Sequence, residues 1–209
     1  AFSLDPNQMI RLEVHYVNAS ASDIELTATA NFIPMADADY KYDAGLLFLG
    51  NPDVNIPPMT TATLGPVFLP LGKLIPDIVG DAKFFAVTGH THQWGTNVTV
   101  NFSKDKSDPG KIIYYVPDWS WAEPETVELD PEISLEAGSG FRLSCQWDNK
   151  SPQTVQFGES ANDEMCFFWA YYYPSKGAFV CAHTDQFGGA EGIDICCPGS
   201  PLCSQLFPN

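Results

Sequence analysis

Two of the four histidines in the chain are separated by a single residue, in the segment Gly89-His90-Thr91-His92-Gln93. The apolar run at 83–87 that leads into them predicts a β-strand. Side chains at positions i and i+2 of a strand project from the same face, so the two imidazoles are expected to lie side by side and could share one metal ion. A bare His-x-His pair is, however, more often a pair of surface residues or includes a hydrogen-bonded core histidine.

A second segment, at 159–174, contains the remaining residue types that such a metal site would need. Its polar start runs into Met165, Cys166 and a block of aromatic residues that ends in Tyr-Tyr-Tyr-Pro. A thioether prefers Cu(I), whereas imidazoles accept both Cu(I) and Cu(II), so two histidines and one methionine can hold copper through a redox cycle. The alternative for a lone methionine is a flexible filler of gaps in the core.

Together these motifs resemble those of a known family. The His90-Thr91-His92 spacing, the Asp163-Glu164-Met165-Cys166 run and the Tyr-Tyr-Tyr-Pro end are similar to the copper type II, ascorbate-dependent monooxygenases of the peptide α-hydroxylating and dopamine β-hydroxylating type. The resemblance spans 9–174 and corresponds to the C-terminal catalytic domain of that family. It implies that His90, His92 and Met165 are the catalytic copper ligands, at the site where dioxygen binds and a substrate C–H bond is oxidised.

The resemblance also implies a disulfide between Cys145, in the run "RLSCQW", and Cys166. This bond would join the segment that carries Met165 to its neighbour and help to hold a weak ligand in place. Cys166 is less suited to be a metal ligand itself, because Met165 beside it would point to the opposite face of a strand.

The other four cysteines have no counterpart in the resemblance and lie in the Gly- and Pro-rich end of the chain. They predict two more disulfides of unassigned pairing, with a small zinc site as the alternative. His183, which lies among them, is expected to be structural. These four cysteines are Cys181, Cys196, Cys197 and Cys203.

His15 lies in a run, Arg11-Leu12-Glu13-Val14-His15-Tyr16, that resembles a strand late in the N-terminal domain of the family. The histidine of that strand is the third ligand of a second copper ion, which delivers electrons. The other two ligands form an adjacent His-His pair, and no such dipeptide occurs here. His15 is therefore expected to bind copper only together with an upstream domain, and otherwise to be an exposed or partly hydrogen-bonded strand residue.

Substrate binding is expected to differ from that of the peptide-amidating members. Those enzymes hold a substrate carboxylate with an Arg, an Asn and a Tyr, and the matching positions here are Thr88, Phe167 and Trp169. The charge-assisted anchor is therefore missing, which predicts a less charged substrate than a peptide glycine. If a strand continues from Met165, Phe167 and Trp169 share its face and line an aromatic pocket. Burial of both rings in the core is the alternative.

The elements that position these residues are predicted to be strands. Short runs with period-two alternation, separated by turns, predict an antiparallel, jelly-roll-like β-sandwich. Seventeen prolines and sixteen glycines interrupt the chain, and no amphipathic helix of ten residues is evident. The Pro-rich stretch 51–80 predicts edge strands and long connections, since proline cannot donate to a sheet ladder. The clearest alternating runs are 9–17, 24–32, 126–138 and 140–147.

Two units are expected along the chain. Residues 1–176 would form the copper-binding β-sandwich, with 1–20 resembling the end of the N-terminal domain of the family, and 177–209 a disulfide-rich, irregular tail. An even number of cysteines indicates an oxidising compartment, so the protein is expected to be secreted or periplasmic.

The charge balance excludes several classes of partner. With 26 acidic and 10 basic residues the formal net charge is −16, which disfavours nucleic acids and anionic membrane surfaces because both attract clusters of Lys and Arg. No apolar run reaches the length of a membrane span.

The sequence thus predicts the catalytic domain of a secreted monooxygenase that hydroxylates a C–H bond with O2. Copper and the reductant ascorbate are implied by the resemblance, and the partners are O2, an unidentified small-molecule or peptide substrate and an upstream copper domain. The missing His-His pair favours an alternative, a single-copper module for storage, delivery or sensing. A third interpretation is a structural or adhesive β-sandwich whose motif no longer binds metal.

Overall fold

The computed structural model describes residues 1–4, 6–10, 14, 18 and 20–198, and strands dominate this part of the chain. One short α-helix, α1 (Leu71–Leu74), and two single 3-10 turns, at Pro76–Ile78 and Gly189–Glu191, are the helical elements of the described residues. The strands of this part are β1 (Gly45–Gly50), β2 (Asn55–Ile56), β3 (Thr60–Leu69), β4 (Lys83–His90), β5 (Gly95–Ser103), β6 (Lys111–Tyr115), β7 (Thr126–Ile133), β8 (Gly140–Asn149), β9 (Val155–Gln156), β10 (Phe167–Tyr173), β11 (Phe179–Thr184) and β12 (Ile193–Cys197).

These strands form two main sheets. The larger sheet has the order β12-β11-β1-β10-β4-β7, and the smaller one has the order β3-β8-β5-β6, while β2 and β9 form a separate pair. Neighbouring strands are antiparallel except β1 and β11, which are parallel. The predicted mainly β, antiparallel architecture is confirmed.

The core lies between the two sheets. Phe141 of β8 packs edge-on against Phe84 of β4 and Phe168 of β10, with ring centroids 5.3 Å and 5.8 Å away. All three rings are fully buried. Burial of a Phe side chain stabilises a fold by about 1.5–3 kcal/mol relative to leaving it exposed, so such contacts across the sandwich hold the sheets face to face.

Proline placement follows the prediction for 51–80. β3 is an edge strand of the smaller sheet, and its register with β8 shifts between Leu64 and Val67, where Pro66 lies. An edge strand or a bulge is where a residue without an N–H is tolerated, because no ladder hydrogen bond is lost there.

The strand predicted at 24–32 does not form. Residues 20–43 contain no strand, and Ile24, Leu26 and Phe32 are exposed by 48%, 46% and 61%. Their alternation matches a strand, but a strand needs a neighbour to satisfy its backbone N–H and C=O groups, and no described strand pairs with this segment. Most of the run at 9–17, including His15, lies outside the described residues.

The C-terminal segment contains the disulfides that were predicted but is not irregular throughout. β11 and β12 extend the larger sheet beyond β1 and are joined by the Cys181–Cys196 disulfide. Cys197 is also disulfide-bonded, and Cys203 lies outside the described residues. None of the described helices is long and apolar enough to span a membrane.

Candidate metal centre

The two histidines of the His-x-His motif lie where β4 ends. Both were predicted to lie on one strand, but only His90 belongs to β4. His90 is the last residue of β4, and His92 is in the turn that leads into β5. That turn is closed by a hydrogen bond from the Gly95 N–H to the His92 carbonyl, at 3.0 Å. The two rings remain neighbours, with centroids 5.1 Å apart and planes at 85°. The motif therefore brings two imidazoles together through a turn.

The hydrogen bonding of His92 leaves one ring nitrogen available to a metal. Its Nδ1 lies 3.1 Å from the backbone carbonyl oxygen of Asp163. A carbonyl oxygen only accepts hydrogen bonds, so the proton of the neutral ring is on Nδ1 and the lone pair is on Nε2. This pattern, in which a backbone carbonyl orients the imidazole through its other nitrogen, is typical of metal-binding histidines.

Met165 lies close to this turn because β10 pairs with β4. Antiparallel pairing places Phe167 opposite His90, and Met165 precedes Phe167 by two residues. One carboxylate oxygen, Oε2 of Glu164, accepts hydrogen bonds from both the His92 N–H at 2.8 Å and the Met165 N–H at 3.2 Å. The segments that carry the imidazoles and the thioether therefore meet at a common point.

Glu164 is the residue that the sequence analysis missed. Its side chain is fully buried, and it also accepts hydrogen bonds from the Trp94 N–H at 2.7 Å and the Trp147 indole N–H at 2.9 Å. Burial raises the pKa of the Glu164 carboxyl group, and the bonds from His92, Trp94 and Trp147 oppose that shift. The available signal was an acidic residue directly before a candidate ligand, at the start of an apolar block.

A disulfide fixes the Met165 segment from its other side. The bond between Cys145 of β8 and Cys166, the pairing that the resemblance implies, joins the smaller sheet to the residue after Met165. The backbone carbonyl of Cys166 accepts a hydrogen bond from the Asn51 N–H at 2.9 Å. Met165 is thus held on both sides along the chain, although it lies before the first residue of β10.

An aromatic layer, defined as Phe48, Phe167 and Trp169, covers the larger sheet beside His90. The Phe48 ring stacks on Phe167 at 4.6 Å and on Trp169 at 4.9 Å, and Trp169 meets the His90 ring at 4.9 Å. Neighbouring Phe168 points into the sandwich core, so the alternation of β10 puts this layer on the opposite face. Within the layer, Phe167 is buried and Trp169 is partly exposed.

Thr88, the third residue considered for substrate binding, pairs with Trp169 across the β4–β10 ladder. It is buried and shares a hydrogen bond of 2.7 Å with the Thr126 hydroxyl of β7. His183, in contrast, is remote from this region in β11, and its ring nitrogens contact Asp194 at 2.8 Å and Asp185 at 3.2 Å. These contacts agree with a structural role for His183.

The donor set at the end of β4 fits copper. Among the described residues, no group of three or more His, Cys, Asp and Glu side chains is arranged to hold a metal ion. The candidate donors at the end of β4 are two imidazoles and the thioether of Met165. Imidazole and thioether donors together select copper over hard cations such as Mg²⁺ or Ca²⁺.

Fold and site therefore define a β-sandwich protein in which two neighbouring imidazoles and a methionine-bearing segment meet at one end of the larger sheet. The profile described as "Copper type II ascorbate-dependent monooxygenase, C-terminal domain" matches residues 42–187, and the chain belongs to this family. The family uses copper and ascorbate.

Curated relatives agree with this assignment. Tyramine beta-hydroxylase of Caenorhabditis briggsae is 25% identical over 184 residues, which cover 84% of this chain and 30% of the relative. Dopamine beta-hydroxylase of Bos taurus is 27% identical, over 84% of this chain and 29% of the relative. DBH-like monooxygenase protein 1 of Homo sapiens is 27% identical, over 86% of this chain and 30% of the relative. The chain thus spans about 30% of the length of the curated relatives it matches.

Proposed function

We propose that this chain is the copper-binding catalytic domain of a monooxygenase that hydroxylates a substrate C–H bond with O2, and that His90, His92 and Met165 are the copper ligands. The observation that carries the proposal is their convergence. The two rings are 5.1 Å apart, and the backbones of His92 and Met165 bind the same oxygen of Glu164. All of this lies inside the segment that matches the family.

Copper would supply the redox chemistry, and ascorbate would supply the two electrons that accompany insertion of one oxygen atom into a C–H bond and reduction of the other to water. The protein's part is to hold the donors and exclude water. The Asp163 carbonyl sets the tautomer of His92, and the aromatic layer covers one side of His90. Substrate oxidation would take place next to that layer.

We propose that the substrate is not held through a carboxylate group. It would instead be bound by apolar and aromatic contact with Trp169. Thr88 is buried against Thr126 and offers no charge. Phe167 is buried, so Trp169 and Phe48 are the members of the aromatic layer that remain partly exposed beside His90. A flat, apolar group can stack on such rings.

Complete turnover is proposed to require a second copper site outside this chain's described residues. His15 would contribute to that site only together with an upstream domain that supplies a His-His pair, and this part of the proposal follows the family resemblance. Because β11 and β12 belong to the same sheet as β1, we further propose that the copper domain continues through 177–198 and does not end at 176. The disulfides favour a secreted or periplasmic location.

Copper titration tests the ligand assignment. The wild-type chain is expected to bind one equivalent of Cu(I), and His90→Ala and Met165→Ala are each expected to weaken binding by more than about tenfold, because a first-sphere donor is lost. His183→Ala is the matched control, since it removes a histidine from β11, away from the site, and it should bind copper like the wild type. Copper retained by both ligand variants would refute the assignment.

A single-copper module for storage, delivery or sensing is the second candidate, because the described residues bring candidate copper donors together at the end of β4 and such a module would use the same donors. Oxygen consumption separates the two. In a longer chain that supplies the second copper site, a catalytic domain given copper, ascorbate and a candidate aromatic substrate should form hydroxylated product in proportion to the O2 consumed. A module would bind copper with the same ligands and form no product.

A further inference from the structure

Glu164 is a fully buried acidic side chain, the one such residue among the described residues. A buried carboxylate loses its hydration and persists only where protein donors replace the water. Four N–H groups surround this one, and three of them belong to the backbone of His92, Trp94 and Met165. The fourth is the indole N–H of Trp147 in β8.

The positions of these donors indicate what the carboxylate does. The β4–β10 ladder ends at the pair His90 and Phe167, so neither His92 nor Met165 is held by strand pairing. His92 also has its Nδ1 contact with the Asp163 carbonyl. The turn after β4 is thus joined to the segment before β10 by the backbone bonds of His92 and Trp94 to Glu164. The His92 Nδ1 contact and a bond from Gln93 Nε2 to Asn162 Oδ1 at 3.1 Å add side-chain links between the same two segments.

The carboxylate is itself anchored. The Glu164 N–H donates to the Gln156 carbonyl of β9 at 2.9 Å, and the Glu164 carbonyl accepts from the Gly158 N–H at 3.3 Å. The Cys145–Cys166 disulfide fixes the chain two residues further on. Glu164 therefore extends from a fixed backbone and fixes two segments that lack ladder hydrogen bonds.

From this geometry we infer that Glu164 is a positioning residue, which sets the separation between the imidazole turn and the thioether segment so that Met165 reaches the copper bound by the histidines. The inference rests on the proposed copper site. In this role Glu164 contacts neither copper nor substrate. Its role is to preorganise a weak thioether ligand, whose binding is the most sensitive to small displacements.

Glu164→Gln is the direct test, carried out on the whole chain. A carboxamide has one acceptor oxygen and an NH2 group that would face N–H donors, so it cannot serve all four. Competition with a chromogenic Cu(I) chelator should show Cu(I) binding weakened by about 10–100-fold. X-ray absorption of the Cu(I)-loaded variant should show imidazole scattering with the sulfur contribution lost, and amide exchange of His92 and Trp94 should accelerate.

Trp147→Phe is the matched control, because it removes the indole donor from the opposite side and leaves the three backbone bonds in place. It is expected to lower stability while Cu(I) affinity stays within about threefold of wild type and sulfur scattering persists. If Glu164→Gln does not fold, Glu164→Asp replaces it. That variant keeps the charge with a shorter reach, and it should also lose sulfur scattering.

The outcomes separate this inference from the proposed function. Wild-type Cu(I) affinity and sulfur scattering in Glu164→Gln, or in Glu164→Asp where it is used, would overturn the positioning role and leave the copper site standing. A wild-type chain that binds no copper would overturn both. Equal losses of copper affinity in Glu164→Gln and Trp147→Phe would show that Glu164 acts only through general stability.

Discussion

At the scale of single residues, the candidate site depends on which nitrogen of His92 carries its proton. The Asp163 carbonyl at 3.1 Å can only accept, so it keeps the proton on Nδ1 and leaves the Nε2 lone pair for a metal. The Glu164 carboxylate acts on the same residue through the backbone N–H. Two neighbouring residues of one segment, Asp163 and Glu164, thus fix both the ring and the backbone of a proposed ligand 71 and 72 positions away.

The lack of a side chain at Gly50 makes room for the Phe167 ring of the aromatic layer. A Cβ on Gly50 would lie 2.2 Å from carbon atoms of the Phe167 ring, and that ring is buried. Gly50→Ala is therefore expected to destabilise the fold by about 1–3 kcal/mol, since an extra methyl in a packed region forces neighbours to shift. Denaturant unfolding measures the change.

Gly138→Ala is the control for that prediction. Its added Cβ would meet only the Lys104 carbonyl oxygen, at an ordinary contact distance of 3.5 Å, so stability should change by no more than about 0.5 kcal/mol. If both alanine variants unfolded with the wild-type free energy, close packing of Phe167 against Gly50 would be refuted.

At the scale of elements, the site forms where a strand ladder stops. The pairing of β10 with β4 brings His90 opposite Phe167, and beyond that point the two chains continue as a turn and an irregular segment. The backbone there has no ladder to hold it, so a buried carboxylate and a disulfide take over. Metal-ligating side chains on a turn and an irregular segment can therefore take positions relative to one another that a regular strand does not provide.

Removal of the Cys145–Cys166 disulfide should therefore affect both folding and copper binding. The bond closes a separation of 21 residues, and its loss in the double variant Cys145→Ala/Cys166→Ala is expected to cost about 3 kcal/mol of stability, because the unfolded chain regains entropy. Cu(I) affinity should fall as well, since Met165 is adjacent to Cys166. Denaturant unfolding and chelator competition measure the two effects.

The second disulfide provides the control for this element. Cys181→Ala/Cys196→Ala opens a separation of 15 residues between β11 and β12, at the far edge of the larger sheet. A comparable loss of stability, about 3 kcal/mol, is expected, but copper affinity should not change. Equal losses of affinity in the two double variants would argue against a specific effect on Met165.

At the scale of the whole molecule, the two sheets form one packed unit from β1 onward, whereas the segment before it is exposed. Residues 20–43 contain no strand, and Ile33 and Met35 are exposed by 93% and 53%. This segment also lies almost entirely before the match to the family domain, which begins at residue 42. Apolar side chains in such a state add little to the stability of the sandwich.

A shortened variant that begins at Lys41 tests this division. It retains Tyr42, which stacks on Tyr173 at 5.2 Å, and it should unfold cooperatively with a free energy within about 1 kcal/mol of the full chain, because few contacts are removed. In the full chain, brief treatment with a non-specific protease should cut first within 20–40. Protection of that stretch, or loss of cooperative unfolding in the shortened variant, would contradict this division.

Much of the fold follows from sequence patterns whose physical basis is local. Alternation predicted β7 and β8, because side chains of a strand alternate between core and solvent. An apolar run predicted β4, and proline chemistry predicted the irregular edge at 51–80. The strand expected at 24–32 did not form. Alternation shows that a segment can bury one face, but it does not supply the neighbouring strand that must complete the backbone hydrogen bonds.

By itself, the sequence determined the family, through residue types at fixed spacing: His90, His92, Met165 and the cysteine beside it. Only the tertiary structure decided that His92 lies in a turn, that its Nδ1 faces a carbonyl, and that Glu164 accepts hydrogen bonds from two separate segments. The physical reason is that spacing is a property of the chain, whereas burial of a carboxylate and the direction of a hydrogen bond arise only when distant segments pack together.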